Sequence, residues 1–458
     1  MTTTWLPEGS SVPSACLEYE PAFEQTRAAE RLAFQAPAPS RLVQWLGFGI
    51  NRVYNLALGR QRLGRMTPVF SSADLALLRA IPREAGNVLV GPHPGPHDPF
   101  LMYELVRRAR RPDGVFLVAA EAYYRESAFA RAFLRRLGVV PVARGRPNPE
   151  AIEYVVARLG EGQWAGIFPE GDVYYSREVM PMEYGALRIA VEAALRMSRA
   201  ARAPGTRRGA RPILITPFAH VYFFTDRTLT ARRVEHAVAE LERRQEVFGR
   251  RQAGSLIQRL RAIADRLIEH KARQYGAPRE AWDAPDRFDR ARKLQHWVLE
   301  DLERRYLGMV QTGYERRRAI HVRMKIYARM TDVPADEAQR AVLLQDIQRT
   351  RDIILAAPFN PQYQLQHPDL ETWAEQLRRY RVAVGLPDCD LGPQKAVFKI
   401  LPSIDVRPIA DAYREISGER ERMEFLFRET ETLRRTIQSG IDDICRANPT
   451  PVFAEGEA

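Results

Sequence analysis

One short turn of the chain carries two ionisable side chains, His93 and Asp98, at a spacing that suits proton transfer. The turn, residues 93–98 (His-Pro-Gly-Pro-His-Asp), follows an apolar run at residues 88–90 and precedes helix-like sequence at residues 99–108. Enzymes with alternating strands and helices place catalytic groups where a strand ends in such a turn. A histidine oriented by a carboxylate takes a proton from a hydroxyl near neutral pH. The alternative is a polar turn whose histidines only cap the following helix.

Three further segments have the pattern of short strands that end in a turn. Residues 137–145 are mostly apolar and carry Arg144 near their end. Residues 166–171, Gly-Ile-Phe-Pro-Glu-Gly, carry one carboxylate, that of Glu170. Residues 212–218 form an apolar strand with a proline near its end. All four segments lie in order between about residues 87 and 223.

This series of segments resembles the motifs of the glycerolipid acyltransferase superfamily, which includes the 1-acylglycerol-3-phosphate acyltransferases. The family motifs are a histidine and an aspartate separated by four residues, a strand ending in arginine, a Phe-Pro-Glu-Gly turn, and a strand ending in proline. The resemblance implies an O-acyltransferase of glycerolipid type. Such an enzyme moves a fatty acyl group from acyl-CoA or acyl-carrier protein to the hydroxyl of a lysophospholipid or related lipid, as in phospholipid biosynthesis.

The resemblance also implies roles for individual residues. His93 would be the general base and Asp98 would orient it, with His97 as a rival base that lacks the four-residue spacing. No metal and no organic cofactor is implied. The residues implied in substrate binding are Gly95, Arg144, Phe168, Pro169, Glu170 and Gly171. Gly91 and Gly95 either present free N–H groups to an oxyanion or only satisfy the dihedral angles of the turn.

The sequence departs from the family directly after the Phe-Pro-Glu-Gly turn. Most members with a phosphate-bearing acceptor continue with Thr-Arg-Ser, and that arginine grips the phosphate. This chain has Asp172, Val173 and Tyr174 instead. Arg146 and Arg177 are candidates to replace the missing cation, and an acceptor without phosphate is the alternative.

Strand and helix patterns alternate from about residue 84 to residue 227. This alternation predicts an α/β fold with a mostly parallel sheet flanked by helices. The predicted strands are residues 88–90, 115–119, 139–142, 166–168 and 213–218. We therefore expect a catalytic domain at residues 84–227, preceded by a poorly ordered lead-in at residues 1–40 and by amphipathic helices at residues 41–83. Residues 228–458 are predicted to be a large α-helical domain of unknown role, either solvated or used to bind a carrier protein or a second copy.

The region of residues 41–83 begins with an amphipathic helix. Leu42, Leu46, Ile50, Val53 and Ala57 follow one another at three- and four-residue steps and form one stripe. The segment is too polar for a membrane span. Two interpretations stay open: the stripe lies in a lipid headgroup layer, or it packs on the catalytic domain.

Composition narrows the classes of partner. The chain has 458 residues, a net charge of +12 and three cysteines. A basic protein favours anionic partners, and the absence of known nucleic-acid-binding patterns makes a lipid surface or an acidic carrier the better prediction. The few cysteines and the lack of a secretory pattern in residues 1–13 predict a cytoplasmic protein on the cytoplasmic face of the membrane. The alternative function is a non-catalytic membrane-associated interaction protein with a degenerate acyltransferase domain.

Overall fold

The computed structural model describes residues 34–58, 64–111, 114–119, 123, 126–142, 148–202, 211–248, 253–313, 315–332, 336–356 and 367–453. Of the predicted lead-in, residues 1–33 lie outside this set. Residues 34–40 pack on a helix, because the N–H groups of Ala38 and Ser40 donate to the carbonyls of Arg135 and Arg136 at 3.2 and 2.9 Å.

The described residues form an eight-stranded, mostly parallel sheet. The strands are β1 (Met66–Val69), β2 (Gly86–Val90), β3 (Val115–Ala119), β4 (Val139–Val142), β5 (Trp164–Ile167), β6 (Ile213–Phe224), β7 (Gln394–Ile400) and β8 (Ile404–Asp405). Their order is β1-β7-β6-β2-β5-β3-β4, and β8 pairs with β6. Only the pairs that β6 makes with β7 and β8 are antiparallel among these strands. The predicted α/β class is therefore confirmed.

Helices cover both faces of this sheet and form most of the remaining chain. In the first half they are α1 (Arg41–Ile50), a π-helix (Asn51–Ala57), α2 (Ser72–Ala80), α3 (Asp98–Arg108), α4 (Ala128–Leu137), α5 (Pro149–Gly160) and α6 (Gly185–Ala201). In the second half they are α7 (Arg227–Glu242), α8 (Gln245–Phe248), α9 (Leu256–Gln274), a 3₁₀ turn (Arg279–Ala281), α10 (Arg287–Leu307), α11 (Glu315–Asp332), α12 (Glu337–Ala356), α13 (Leu370–Ala383), α14 (Arg407–Glu415) and α15 (Glu419–Ala447).

Side-chain alternation along the strands builds a core on each face of the sheet. On β2, Val88 and Val90 pack with α5 and α6, whereas Leu89 packs with α3 on the opposite face. Successive side chains of a strand point to opposite faces, so a continuous apolar run is buried on both. This arrangement holds the end of β2, and with it residues 93–98, between two packed layers.

Strand β6 is longer than the sequence predicts. The predicted strand ends at residue 218, but β6 continues to Phe224 because β7 pairs with its second half in antiparallel register from Phe218↔Ile400 to Phe224↔Gln394. Strands β7 and β8 lie inside residues 228–458, which the sequence predicts to be helical. The correction is that this region also completes the sheet, on the β6 side.

The helices of the second half enclose two apolar clusters of their own. One cluster joins α9, α10, α11 and α12, and the other joins α7, α8, α9 and α13. Among the described residues, no helix combines the length and the apolar character that crossing a membrane requires.

Candidate active site

The two predicted turns meet at the carboxyl ends of two neighbouring parallel strands. Strands β2 and β5 are parallel neighbours, and their last paired residues are Val90 and Ile167. The chain segments that leave them, residues 91–98 and 168–171, therefore emerge side by side. The N–H of His93 donates to Glu170 Oε1 at 2.7 Å and joins the two turns directly.

His93 and Asp98 are in direct contact. The Nδ1 atom of His93 lies 2.6 Å from Asp98 Oδ2. Asp98 is the first residue of α3, with Pro99 behind it in the first helical turn, a position that suits proline because its missing N–H has no partner there anyway. The His93 side chain is 15% exposed, whereas that of Asp98 is fully buried. The four-residue spacing thus places a carboxylate behind the imidazole and leaves the imidazole within reach of solvent.

Two further side chains, which the sequence analysis missed, bind the same carboxylate. His220 Nε2 lies 2.7 Å from Asp98 Oδ1, and the Tyr222 hydroxyl donates to that same oxygen. Both residues lie on β6, which runs past the end of β2 because Val90 pairs with Pro217. The signal was present in the alternation of His220 and Tyr222 with buried Ala219 and Val221. It was overlooked because the strand was predicted to end before these residues.

The hydrogen bonds assign different roles to the three histidines. A ring nitrogen that faces a carboxylate donates its proton to it, so in a neutral ring the lone pair lies on Nε2 of His93 and on Nδ1 of His220. His220 is only 1% exposed, and its Nδ1 has no hydrogen-bond partner among the described residues. His97 is buried as well and contacts the carbonyl of Gly64 at 3.1 Å. Of these three histidines, His93 is therefore the one whose ring is within reach of solvent.

The charge on Asp98 is stabilised by this arrangement. Burial alone would raise the pKa of Asp98, but the attraction and hydrogen bonds of His220, and then of His93, outweigh burial and hold that pKa well below its usual range. The N–H of Gly95 adds another hydrogen bond to Asp98 Oδ2 at 2.9 Å. Asp98 is therefore ionised at neutral pH.

The Phe-Pro-Glu-Gly turn forms the wall beside His93. The Phe168 ring stacks on the His93 ring with 4.5 Å between centroids. The carbonyl of Pro169 accepts from the N–H of Glu183 at 2.8 Å. Gly171 has a φ of +73°, a left-handed conformation that favours glycine. The Phe168 ring therefore covers one face of the His93 ring.

Glu170 is buried behind this turn. Its carboxylate accepts the N–H groups of His93 and Met180, at 2.7 and 3.1 Å. Burial raises the pKa of Glu170 to about 7, against the opposing charge of Arg316. With both oxygens bonded to the backbone, Glu170 connects the two turns.

Close packing explains the glycines at positions 91 and 95. Neither free N–H groups nor the dihedral angles of the turn account for them. A Cβ on Gly91 would lie 2.2 Å from the ring of Phe218, and a Cβ on Gly95 would lie 2.5 Å from the ring of Tyr222. Both glycines are thus required by close packing of aromatic rings. The N–H of Gly95 is bound to Asp98, so it is not a free donor to an oxyanion.

The segment after the second turn is held by the helical region. Arg323 of α11 donates to Asp172 at 3.1 Å, and Arg379 of α13 donates to the carbonyl of Tyr175 at 3.0 Å. Arg177 forms a buried ion pair with Asp369 at 2.8 Å. Arg177 is therefore committed to a structural contact and does not replace the cation that is missing at Val173.

The two remaining candidate cations lie outside the described residues. These are Arg144, implied in substrate binding, and Arg146, the other candidate replacement. They follow β4, which is the edge strand opposite to β1. Strands β5 and β3 separate β4 from β2. The structure therefore brings together His93, Gly95, Asp98 and the turn of residues 168–171, and it leaves the position of Arg144 undescribed.

A comparison with known families agrees with this geometry. Residues 75–221 match the family model described as Acyltransferase. These residues form an acyltransferase domain. The match begins in α2 and ends in β6, so it includes both turns, the Asp98 carboxylate and His220. The sheet that holds these residues also contains β7 and β8, which lie outside the matched range.

Proposed function

We propose that the protein is a glycerolipid O-acyltransferase in which His93 is the general base and Asp98 orients it. The observation that carries this proposal is the 2.6 Å contact between His93 Nδ1 and the buried Asp98 carboxylate, inside a domain of the acyltransferase family. The donor is acyl-CoA or acyl-carrier protein, and the acceptor is a lysophospholipid or a related lipid with a free hydroxyl.

The chemistry requires no nucleophile from the protein, because the acceptor alcohol attacks. His93 Nε2 takes the hydroxyl proton while the alcohol oxygen bonds to the thioester carbonyl carbon. The tetrahedral intermediate then collapses, the C–S bond breaks, and the thiolate takes the proton from the His93 imidazolium. The products are an oxygen ester and a free thiol. Asp98 holds the ring in the required tautomer and stabilises the imidazolium in between.

His220 and Tyr222 act on this reaction through Asp98. Together with Gly95 and His93 they give each carboxylate oxygen two donors, which restricts rotation of the carboxylate. A carboxylate that cannot rotate keeps the Nδ1–H of His93 in one orientation. We assign His220 and Tyr222 as positioning residues of the proposed reaction.

The test is acyl transfer by the full chain. Labelled acyl-CoA or acyl-carrier protein is incubated with lysophosphatidate, a neutral lysophospholipid and a monoacylglycerol, and the products are identified by mass. We expect a new ester with at least one acceptor, together with one thiol released per ester. Thioester consumption no faster than in buffer, with every acceptor, would instead favour a degenerate domain.

The shared surface of α1 and the π-helix after it supports a peripheral membrane location for this enzyme. The predicted apolar stripe of Leu42, Leu46, Ile50, Val53 and Ala57 is exposed along its whole length. The side of α1 that faces away from the stripe packs on the rest of the protein. On that side Gln44 is only 1% exposed, and its backbone carbonyl accepts a hydrogen bond from the Tyr103 hydroxyl. Trp45, beside the stripe, is 71% exposed.

An exposed apolar stripe with a tryptophan and flanking Arg41 and Arg52 fits the headgroup layer of an anionic membrane. We therefore assign this face of α1 to the membrane that supplies the lipid acceptor. The packing interpretation does not explain why the apolar side faces solvent.

Removing apolar area from this face should weaken vesicle binding. The double variant Trp45→Ser, Ile50→Ser should bind phosphatidylglycerol-containing vesicles at least about tenfold more weakly, because burying one large apolar side chain contributes about 1.5–3 kcal/mol. Sedimentation with vesicles measures the effect. The control is Met309→Ser, which removes an exposed apolar side chain in the helical region and should leave binding unchanged. Unchanged binding by the double variant would contradict the assignment.

A further inference from the structure

A buried arginine of the helical region contacts the segment that follows the Phe-Pro-Glu-Gly turn. Arg316, in the first turn of α11, is fully buried. None of its three side-chain nitrogens has a hydrogen-bond partner among the residues that the structure describes. Glu170 and Glu178 interact with its charge, but neither forms a hydrogen bond to it. A buried guanidinium without hydrogen bonds adds little to stability or lowers it, so its place here needs another explanation.

The guanidinium of Arg316 lies over the ring of Tyr174, with 3.6 Å between its central carbon and the ring centroid. A cation over an aromatic face is attracted to the ring, and the attraction is stronger when both groups are buried, as they are here. Through Tyr174, helix α11 therefore contacts the candidate active site.

Tyr174 holds the backbone of His93. Its N–H donates to the carbonyl of His93 at 3.2 Å, and its hydroxyl donates to the backbone carbonyl of Glu170 at 3.1 Å. The N–H of His93 donates to the Glu170 carboxylate at 2.7 Å. Both polar backbone groups of His93 are thus bound by residues 170–174, and the ring of Tyr174 fixes that segment against Arg316.

The charge of Arg316 acts on the same hydrogen bonds. Burial raises the pKa of Glu170, and the nearby charge of Arg316 opposes that rise. Arg316 therefore favours the ionised carboxylate, whose two oxygens accept the N–H groups of His93 and Met180. A protonated Glu170 would present a hydroxyl to one of these donors, and a hydroxyl oxygen is the weaker acceptor.

We propose that Arg316 is a positioning residue of the candidate active site, which holds the backbone of His93 through Tyr174 and Glu170. The inference rests on the proposed function, because His93 is the base of that reaction. Arg316 lies outside the residues that match the acyltransferase family. The helical region of residues 228–458 thereby takes part in the reaction, since α11 sets the position of the base.

The variant Arg316→Met separates positioning from a purely structural role, because it removes the charge and keeps a long side chain. We expect kcat for acyl transfer to fall about tenfold or more, since a misplaced catalytic group loses rate steeply. The KM values of donor and acceptor should stay within about twofold, because Arg316 does not touch substrate. The urea midpoint should be no lower than that of the unmodified chain, since no hydrogen bond of the side chain is lost.

Arg318→Met is the matched control from the same helix. Arg318 is also buried, but it donates to both carboxylate oxygens of Glu303, at 2.9 and 2.7 Å. Breaking this buried ion pair should lower the urea midpoint and leave kcat of the folded fraction unchanged. If Arg316→Met behaves in the same way, or fails to fold, its role is structural and the proposal is wrong.

The exchange rate of the His93 amide proton tests the inference without acyl transfer. Labelling with ¹⁵N-histidine gives one backbone amide signal for each of the eight histidines, and His93→Ala identifies the signal of His93. In Arg316→Met this proton should exchange at least about tenfold faster, because its bond to Glu170 is weakened. The amide of His236 in α7 should not change.

Unchanged exchange at His93 would refute the positioning role, whatever the rate of acyl transfer. A different result would refute only the reaction: an unmodified chain that transfers no acyl group, but whose His93 amide responds to Arg316→Met. The failure of the proposed function and the failure of this inference are therefore distinguishable.

Discussion

His93→Ala should lower kcat for acyl transfer by about 10²–10⁴-fold, because it removes the proposed general base. Folding should be retained, since the His93 side chain is partly exposed and its main contacts are one hydrogen bond to Asp98 and one ring stack on Phe168. Initial rates of thiol release with saturating acceptor measure the effect. Thermal unfolding of the same samples shows whether the fold has changed.

His97→Gln is the matched control for this variant. His97 lies in the same turn, but its ring contacts the carbonyl of Gly64, and glutamine keeps a donor for that carbonyl. Its kcat should stay near that of the unmodified chain. Full activity of His93→Ala together with loss of activity in His97→Gln would move the base to His97.

Asp98→Asn should have the opposite balance of effects, with a smaller loss of rate and a larger loss of stability. One side-chain oxygen becomes an NH₂ group, which then faces two donors in a fully buried position, either His93 and Gly95 or His220 and Tyr222. Losing one partner of a buried charged cluster costs about 3–5 kcal/mol. The loss in kcat should be about one to two orders of magnitude smaller than for His93→Ala, because the base itself remains.

Urea unfolding and initial rates on the folded fraction separate these two effects. The control is Asp346→Asn, another buried carboxylate, which accepts from Arg305 and Tyr306 in the helical region at 2.8 and 2.7 Å. It should lose comparable stability while keeping its kcat. An Asp98→Asn variant that is as stable as the unmodified chain would show that the carboxylate is not needed to hold the cluster together.

Much of the α/β region was predictable because its signals are local. Each of the five predicted strands corresponds to a strand in the structure, with shifts of at most two residues at four of them. The exception is β6, whose second half is a strand because β7 pairs with it. The strand β7 is followed along the chain by proline and charged residues, and nothing in its local pattern indicated a place beside β6.

The helix α1 illustrates a second limit of periodicity. The spacing of its apolar residues predicted an amphipathic helix, and the structure contains that helix. Periodicity defines a face but does not state what the face meets. The fit of Gly47 and Phe48 against the rest of the protein, with Phe48 stacked on Tyr103 at 4.2 Å, decides that the apolar stripe points outward.

The sequence by itself determined the candidate base, its orienting carboxylate and the two turns that carry them, because a strand, a tight turn and a helix start depend on neighbours a few residues away. The tertiary structure alone decided that His220, which lies 122 positions beyond Asp98, binds the same carboxylate. It alone decided that Arg177 pairs with Asp369 and that the second half of the chain supplies two strands of the sheet. Contacts of this range depend on which strands become neighbours, and that choice is made by packing of the whole chain rather than by any local pattern.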